Sequence, residues 1–78
     1  MTEQELKNKA VQIGLNIAYY RKLRGLSQEQ LSERAFISRQ WLGQLEAPGL
    51  TALPSLEMLL YLADSLEVPP AALLDFRE

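Results

Sequence analysis

An all-α fold of five helices is what this 78-residue sequence predicts. Three observations carry the prediction. Apolar residues recur at three- and four-residue spacing in separate stretches. The first four stretches open on residues suited to capping a helix: Thr2, Ser27, Ser38 and Ser55. Breaks close them at Gly25, at Phe36-Ile37, at Ala47-Pro48-Gly49 and at Val68-Pro69-Pro70. The expected architecture is one compact body over residues 1–78, with an N-terminal helical extension.

The first helix opens at Thr2, with Glu5 in the capping-box position. Leu6, Ala10, Ile13, Ile17 and Tyr20 then recur at helical spacing to about Arg24. Gly14 interrupts this pattern and lowers helix propensity. It either permits close packing or marks where the extension meets the first helix of the domain proper. Gly25 suits a helix stop, and Arg21, Lys22 and Arg24 suit the negative helix end before it. Leu26 is expected to plug the core.

Two short helices follow, about 28–35 and 39–46. Ser27 caps the first, with Gln30 in the capping-box position and Leu31 and Ala35 facing one way. Ser38 caps the second, where Leu42 and Leu45 form the apolar stripe. Only Phe36 and Ile37 connect them. Two such short helices cannot bury their faces alone, so they must cross and pack on a third element. A fourth helix starts at Ser55, with Leu56, Leu59, Leu60, Ala63 and Leu66 as its expected core stripe. A last short helix runs from Ala71 to about Asp75, with Leu73 and Leu74 as expected core.

Composition narrows the function. There is no cysteine and no histidine, which removes thiolate metal sites, disulfides and the commonest general base. Glu57 and Asp64, seven apart on one helix, suit a solvated face better than an acid pair. These points argue against an enzyme, and no metal, cofactor or small-molecule ligand is expected. No apolar run approaches a membrane span and no signal-peptide pattern opens the chain, so a cytoplasmic protein without a membrane partner is expected. The net charge of −2 and pI near 5.1 oppose a nonspecific nucleic-acid coat. The charge is unevenly spread. Arg21, Lys22, Arg24, Arg34 and Arg39 outweigh Glu29, Glu33 and Glu46 in the middle, whereas acids dominate after Ala47. That polarity fits a DNA face beside an acidic solvated or partner face.

The outer face of the second short helix carries Arg39, Gln40, Gly43 and Gln44, with Trp41 beside them. These side chains suit base edges or phosphates, which points to a helix-turn-helix DNA binder. Over about Ile13 to Leu74 the sequence resembles the phage-repressor (Xre-like) helix-turn-helix family, which includes the lambda repressor and Cro. The resemblance rests on Ile13-Gly14, Ile17, Arg21, Gly25-Leu26-Ser27-Gln28 and Leu31. It continues through Ile37-Ser38, Leu42, Glu46, Pro54-Ser55-Leu56-Glu57, Leu59 to Leu66 and Leu73-Leu74. Phe36 departs from it, standing where glycine is usual and where a positive φ is commonly needed. Either the turn is distorted or Phe36 offsets the strain by burying its ring. Ser32 replaces the usual alanine, and Ala47-Pro48-Gly49 replaces a glycine after the second motif helix.

The resemblance implies a fold like that of the lambda repressor and a role for each residue. The second motif helix would lie in the major groove, with Arg39 suited to guanine O6/N7 and Gln40 or Gln44 to adenine N6/N7. Gly43 would permit close approach to DNA or be neutral. Trp41 would touch thymine methyls or sugars, fold back over the helix, or meet another protein. Ser27, Gln28 and Ser38, with Lys22 and Arg24, would hold phosphates. Glu46 opposes the dipole of its own helix end and needs a cation, which Arg21 would supply in a largely desolvated pair. Apart from the resemblance, the fourth helix carries more apolar surface than one stripe needs, so Met58, Tyr61 and Leu62, with Phe76, form a dimer patch or else pack under the N-terminal segment or the tail. The expected function is a transcriptional regulator of repressor type that binds a palindromic double-stranded operator as a homodimer. The competing reading is an antitoxin-like or other partner-binding module on the same scaffold, with weak DNA binding or none.

Overall fold

A computed structural model describes residues 1–76. The helices are α1 (Glu3–Leu23), α2 (Gln28–Ala35), α3 (Arg39–Glu46), α4 (Leu56–Leu66) and α5 (Pro70–Leu73), and no strand occurs among the described residues. The two motif helices take the bounds expected of them, because strong serine caps set their starts. The Ser27 hydroxyl accepts from the Gln30 N–H at 3.0 Å while the Gln30 side chain accepts from the Ser27 N–H at 2.9 Å. The Ser38 and Ser55 hydroxyls accept from the N–H groups of Trp41 and Met58.

α1 is a single helix running straight through Gly14, so the glycine marks no junction. It serves close packing instead. A Cβ at Gly14 would collide with the Leu45 carbonyl oxygen of α3, so the two backbones touch there. Thr2 and Glu5 complete a reciprocal cap at the start of α1, with both bonds at 3.0 Å. The Thr2 backbone N–H, then its hydroxyl, hold the Glu5 carboxyl below its ordinary range. This cap is therefore intact above the ordinary carboxylate pKa and loosens as pH falls through the lowered value. At the other end, Gly25 (φ 72) closes a Schellman stop, with Leu26 donating to the Arg21 carbonyl at 3.0 Å.

The core draws one or more side chains from every helix: Ile13 and Ile17 of α1, Leu31 of α2, Leu42 and Leu45 of α3, Leu73 of α5, and four residues of α4. Those four are Leu59, Leu62, Ala63 and Leu66. The expected α4 stripe is thus displaced. Leu56 and Leu60 are exposed, and Leu62 is buried in their stead. Apolar residues crowd α4 so densely that two stripes, offset by about one position, both have helical spacing. Packing against α2 and α5 selects the second. Leu74 and Leu6 are likewise exposed, at the outer side of α5 and beyond the reach of the core at the start of α1.

The α2–α3 turn keeps the left-handed geometry that glycine usually supplies. Phe36 has φ 58 and ψ 39, and Ile37 donates to the Ser32 carbonyl at 3.0 Å. Neither sequence expectation for this position holds: the turn is undistorted and the ring is 79% exposed. A non-glycine residue held this way costs about 1–3 kcal/mol. Ser32, buried in the crossing, satisfies its own hydroxyl by donating to the Glu29 carbonyl at 2.8 Å.

The Gly14 contact makes a sharp stability prediction. Gly14→Ala gains helix propensity, yet it drives a methyl into backbone, and the expected net loss is about 1–3 kcal/mol. Thermal unfolding should show Tm lowered by roughly 4 °C or more. Gly49→Ala, whose added methyl meets open space, should change stability by no more than about 0.5 kcal/mol. Equal melting of the two variants would contradict the close α1–α3 approach.

Candidate nucleic-acid interface

α3 is anchored by its inner face and its C-terminal end. Leu42 and Leu45 are buried. Glu46, its last residue, meets Arg21 in a two-pronged ion pair, Nε to Oε2 at 2.8 Å and Nη2 to Oε1 at 2.9 Å. The side chains retain only 12% and 6% of their exposure. The third guanidinium nitrogen, Nη1, donates to the Leu26 carbonyl at 2.8 Å, and the Gln28 amide donates to Glu46 Oε1 at 3.0 Å. One carboxylate therefore gathers the end of α1, the start of α2 and the end of α3. Its charge would oppose the α3 dipole, and the guanidinium offsets that.

The opposite side of α3 is open. Arg39 and Gln40 are exposed, and Gln44 is half-buried beside them. Arg39 has no acidic partner among the described residues. Its Nη1 lies 2.9 Å from where a Gly43 Cβ would stand, so the guanidinium folds across the glycine one turn on. Gly43 thus has a role that neither sequence reading named: it makes room for Arg39.

Trp41 does not belong to this open face. It sits on the flank of α3 towards α4, packs against the core, and its Nε1 donates to the Met58 sulfur at 3.0 Å. The indole is turned to α4 rather than back over its own helix. Arg24 is also withdrawn from the phosphate set. Its guanidinium donates to the carbonyls of Leu66 (2.8 Å) and Glu67 (3.3 Å), so it caps the C-terminus of α4 instead. Lys22 is exposed, with no hydrogen bond or ion pair among the described residues. Ser27 and Ser38 use their oxygens as caps, which leaves each hydroxyl proton to donate outward. Gln28 keeps one amide hydrogen beyond its bond to Glu46.

The four residues of the expected dimer patch do not share a surface. Leu62 is fully buried, because it belongs to the core stripe of α4. Met58 lies under Trp41. Phe76 sits beneath the Lys9 ammonium of α1, 5.6 Å from the ring centre, and Tyr61 meets Phe36 edge-on at 5.5 Å. One structural residue escaped sequence reasoning altogether. The Asn16 amide donates to the Leu73 and Asp75 carbonyls at 3.1 and 2.9 Å, tying the segment after α5 to α1. Its partners lie far along the chain, and no local pattern announces them. Among the described residues no cluster suits a metal ion, and no helix is long and apolar enough to cross a membrane.

The ion pair lends itself to a mutant cycle. Arg21→Met or Glu46→Met alone should cost about 3–5 kcal/mol in urea unfolding, since each strands a buried partner. Arg21→Met with Glu46→Met should cost less than either alone. Strictly additive losses would show that the pair is not coupled.

The model of the helix-turn-helix domain family matches residues 12–76. No curated protein sequence matches the chain. Among solved structures it is similar to the restriction–modification controller protein C.AhdI from Aeromonas hydrophila, at 31% identity and TM-score 0.76, over 82% of this chain and 94% of that one. It is similar to SinR, the master regulator for biofilm formation, in complex with DNA, at 35% identity and TM-score 0.75, over 81% of this chain and 98% of that one. It is also similar to a chain of the SinR–SinI protein complex, at 34% identity and TM-score 0.76, covering 82% of this chain but only 61% of that one. The matched region takes in the capped α2–α3 pair and the ion pair that fixes it. The chain belongs to the helix-turn-helix domain family, in the arrangement of the phage-repressor type.

Proposed function

We propose that the chain is a sequence-specific regulator of transcription that binds double-stranded DNA through the major groove. The observation that carries this reading is the open face of α3. Arg39 and Gln40 are exposed at the start of α3, and Gln44 lies half-buried one turn further on, towards the end that Glu46 anchors. An unpaired arginine there can bind guanine O6 and N7 with two hydrogen bonds, and either glutamine can do the same for adenine N7 and N6. We assign the phosphates to Ser27, Gln28, Ser38 and Lys22, each of which keeps a donor that no protein group uses. SinR, similar over most of this chain, was solved with DNA, which supports the same use here.

Two copies on a palindrome, with half-sites about 34 Å apart, fit the way short recognition helices gain affinity. Occupancy of such an operator would act as repression. An acidic chain with few phosphate contacts depends on base contacts for specificity, so binding should be modest on random DNA and salt-sensitive on its site.

Selection of bound duplexes from a random pool, followed by titration against salt, tests the proposal. Arg39→Ala should relax preference at one base pair per half-site, a loss of about 1–3 kcal/mol in discrimination. Lys22→Ala should weaken every sequence alike and lower the salt slope by about 1 per copy. No enriched sequence from the pool, or equal loss on all sequences after Arg39→Ala, would overturn base readout by α3.

A further inference from the structure

The strain at Phe36 is not offset within the chain. A glycine would take the left-handed turn freely, yet a phenylalanine holds it at φ 58 with its ring 79% exposed. Its ring neighbour is Tyr61, itself half-exposed. Tyr61 and Leu60 also wall an open groove of ≈ 370 Å³ along α4, flanked by Glu57 and Asp64. Leu56, one turn before Leu60, is 72% exposed. Glu67 holds the same left-handed backbone at φ 59, but a charged side chain needs no burial, whereas an exposed aromatic ring at a strained turn marks a surface for contact.

We propose that this face is where two copies of the chain meet, the Phe36 ring of each entering the α4 groove of the other. The proposal rests on the reading that the chain works as a pair, and it names the surface. Charge identifies the occupant. Glu57 and Asp64 have no partner among the described residues, and α4 carries no basic residue of its own. Arg34, exposed in the last turn of α2 two residues before Phe36, is equally unpaired. A two-fold axis near the Phe36–Tyr61 contact lays the end of α2 over the partner's α4. Ring then meets groove and cation meets acid, and the symmetry does this twice. Antiparallel packing of α4 on the partner's α4, centred between Leu60 and Tyr61, would instead set Glu57 beside the partner's Asp64. Two like-charge contacts disfavour that alternative. An aromatic anchor in a groove with charged residues at its rim is the usual anatomy of an interface centre.

Sedimentation equilibrium on the full chain tests this, with melting and half-site DNA binding measured in parallel. Phe36→Gly should raise Tm in dilute solution, where the chain is monomeric, and weaken self-association at least ten-fold. Leu60→Glu should weaken association similarly without touching the turn. Arg34→Glu should weaken it too, and adding Glu57→Lys with Asp64→Lys should restore it. The variants should still bind a duplex carrying one half-site. Association undiminished in Phe36→Gly and Leu60→Glu, or no rescue by the charge reversal, would overturn the proposal and leave DNA reading by α3 intact. A wild-type chain that stays monomeric at several hundred micromolar yet takes up a Leu/Lys amphipathic peptide probe would overturn it in favour of a foreign cationic partner. Failure of the wild-type chain to bind any duplex would instead strike the functional reading, whatever the association data show.

Discussion

The position of α3 depends on one buried carboxylate. Glu46 lies where the helix dipole disfavours a negative charge, and it is shielded from water. It is tolerable there because Arg21 meets it with two parallel bonds and Gln28 adds a third. Those partners come from different helices, so satisfying one charge fixes three helix ends together. The Gly14–Leu45 backbone contact acts a few ångströms away in the same sense. α3, seated on the core through Leu42 and Leu45 and flanked by the Trp41–Met58 contact, thereby gains a defined angle at its C-terminal end, while Arg39 and Gln40 at its start stay exposed.

That geometry divides the polar residues into two groups. Arg21, Arg24, Gln28 and Asn16 direct hydrogen bonds inward, to a carboxylate or to carbonyls at helix ends. Arg39, Gln40 and Lys22 face outward without protein partners. Inward bonds remove groups from competition for a ligand, and they also stiffen the frame that carries the outward ones. A weakly acidic chain can in this way present a small, chemically specific face without being basic overall. α4 serves the same frame on one side, through Leu59, Leu62, Ala63 and Leu66, and leaves its other side bare.

Much of this was legible in the sequence because it is locally encoded. Serine caps and a glycine stop set the bounds of α2 and α3, and an acid at a helix C-terminus asked for a cation. The Gly14 alternatives could be listed from sequence, but only the fold could choose between them, since the clash is with α3. The α4 stripe misled because crowded leucines satisfy two helical registers. Family spacing sets Trp41 beside the groove-facing side and residue type suits Arg24 to phosphates, yet their partners, Met58 and the α4 carbonyls, come from a helix that local spacing cannot position. At Phe36 the backbone strain was foreseeable, but the direction of the ring was not.

The central claim is that the outward end of α3 is the surface that meets the bases. Amide chemical-shift mapping of the ¹⁵N-labelled chain, titrated with its selected duplex, tests it most directly. The account predicts the largest shifts at Arg39, Gln40, Gly43 and Gln44, accompanied by Ser27 and Gln28 at the start of α2. A saturating complex in which those amides stay still while another surface responds would contradict it.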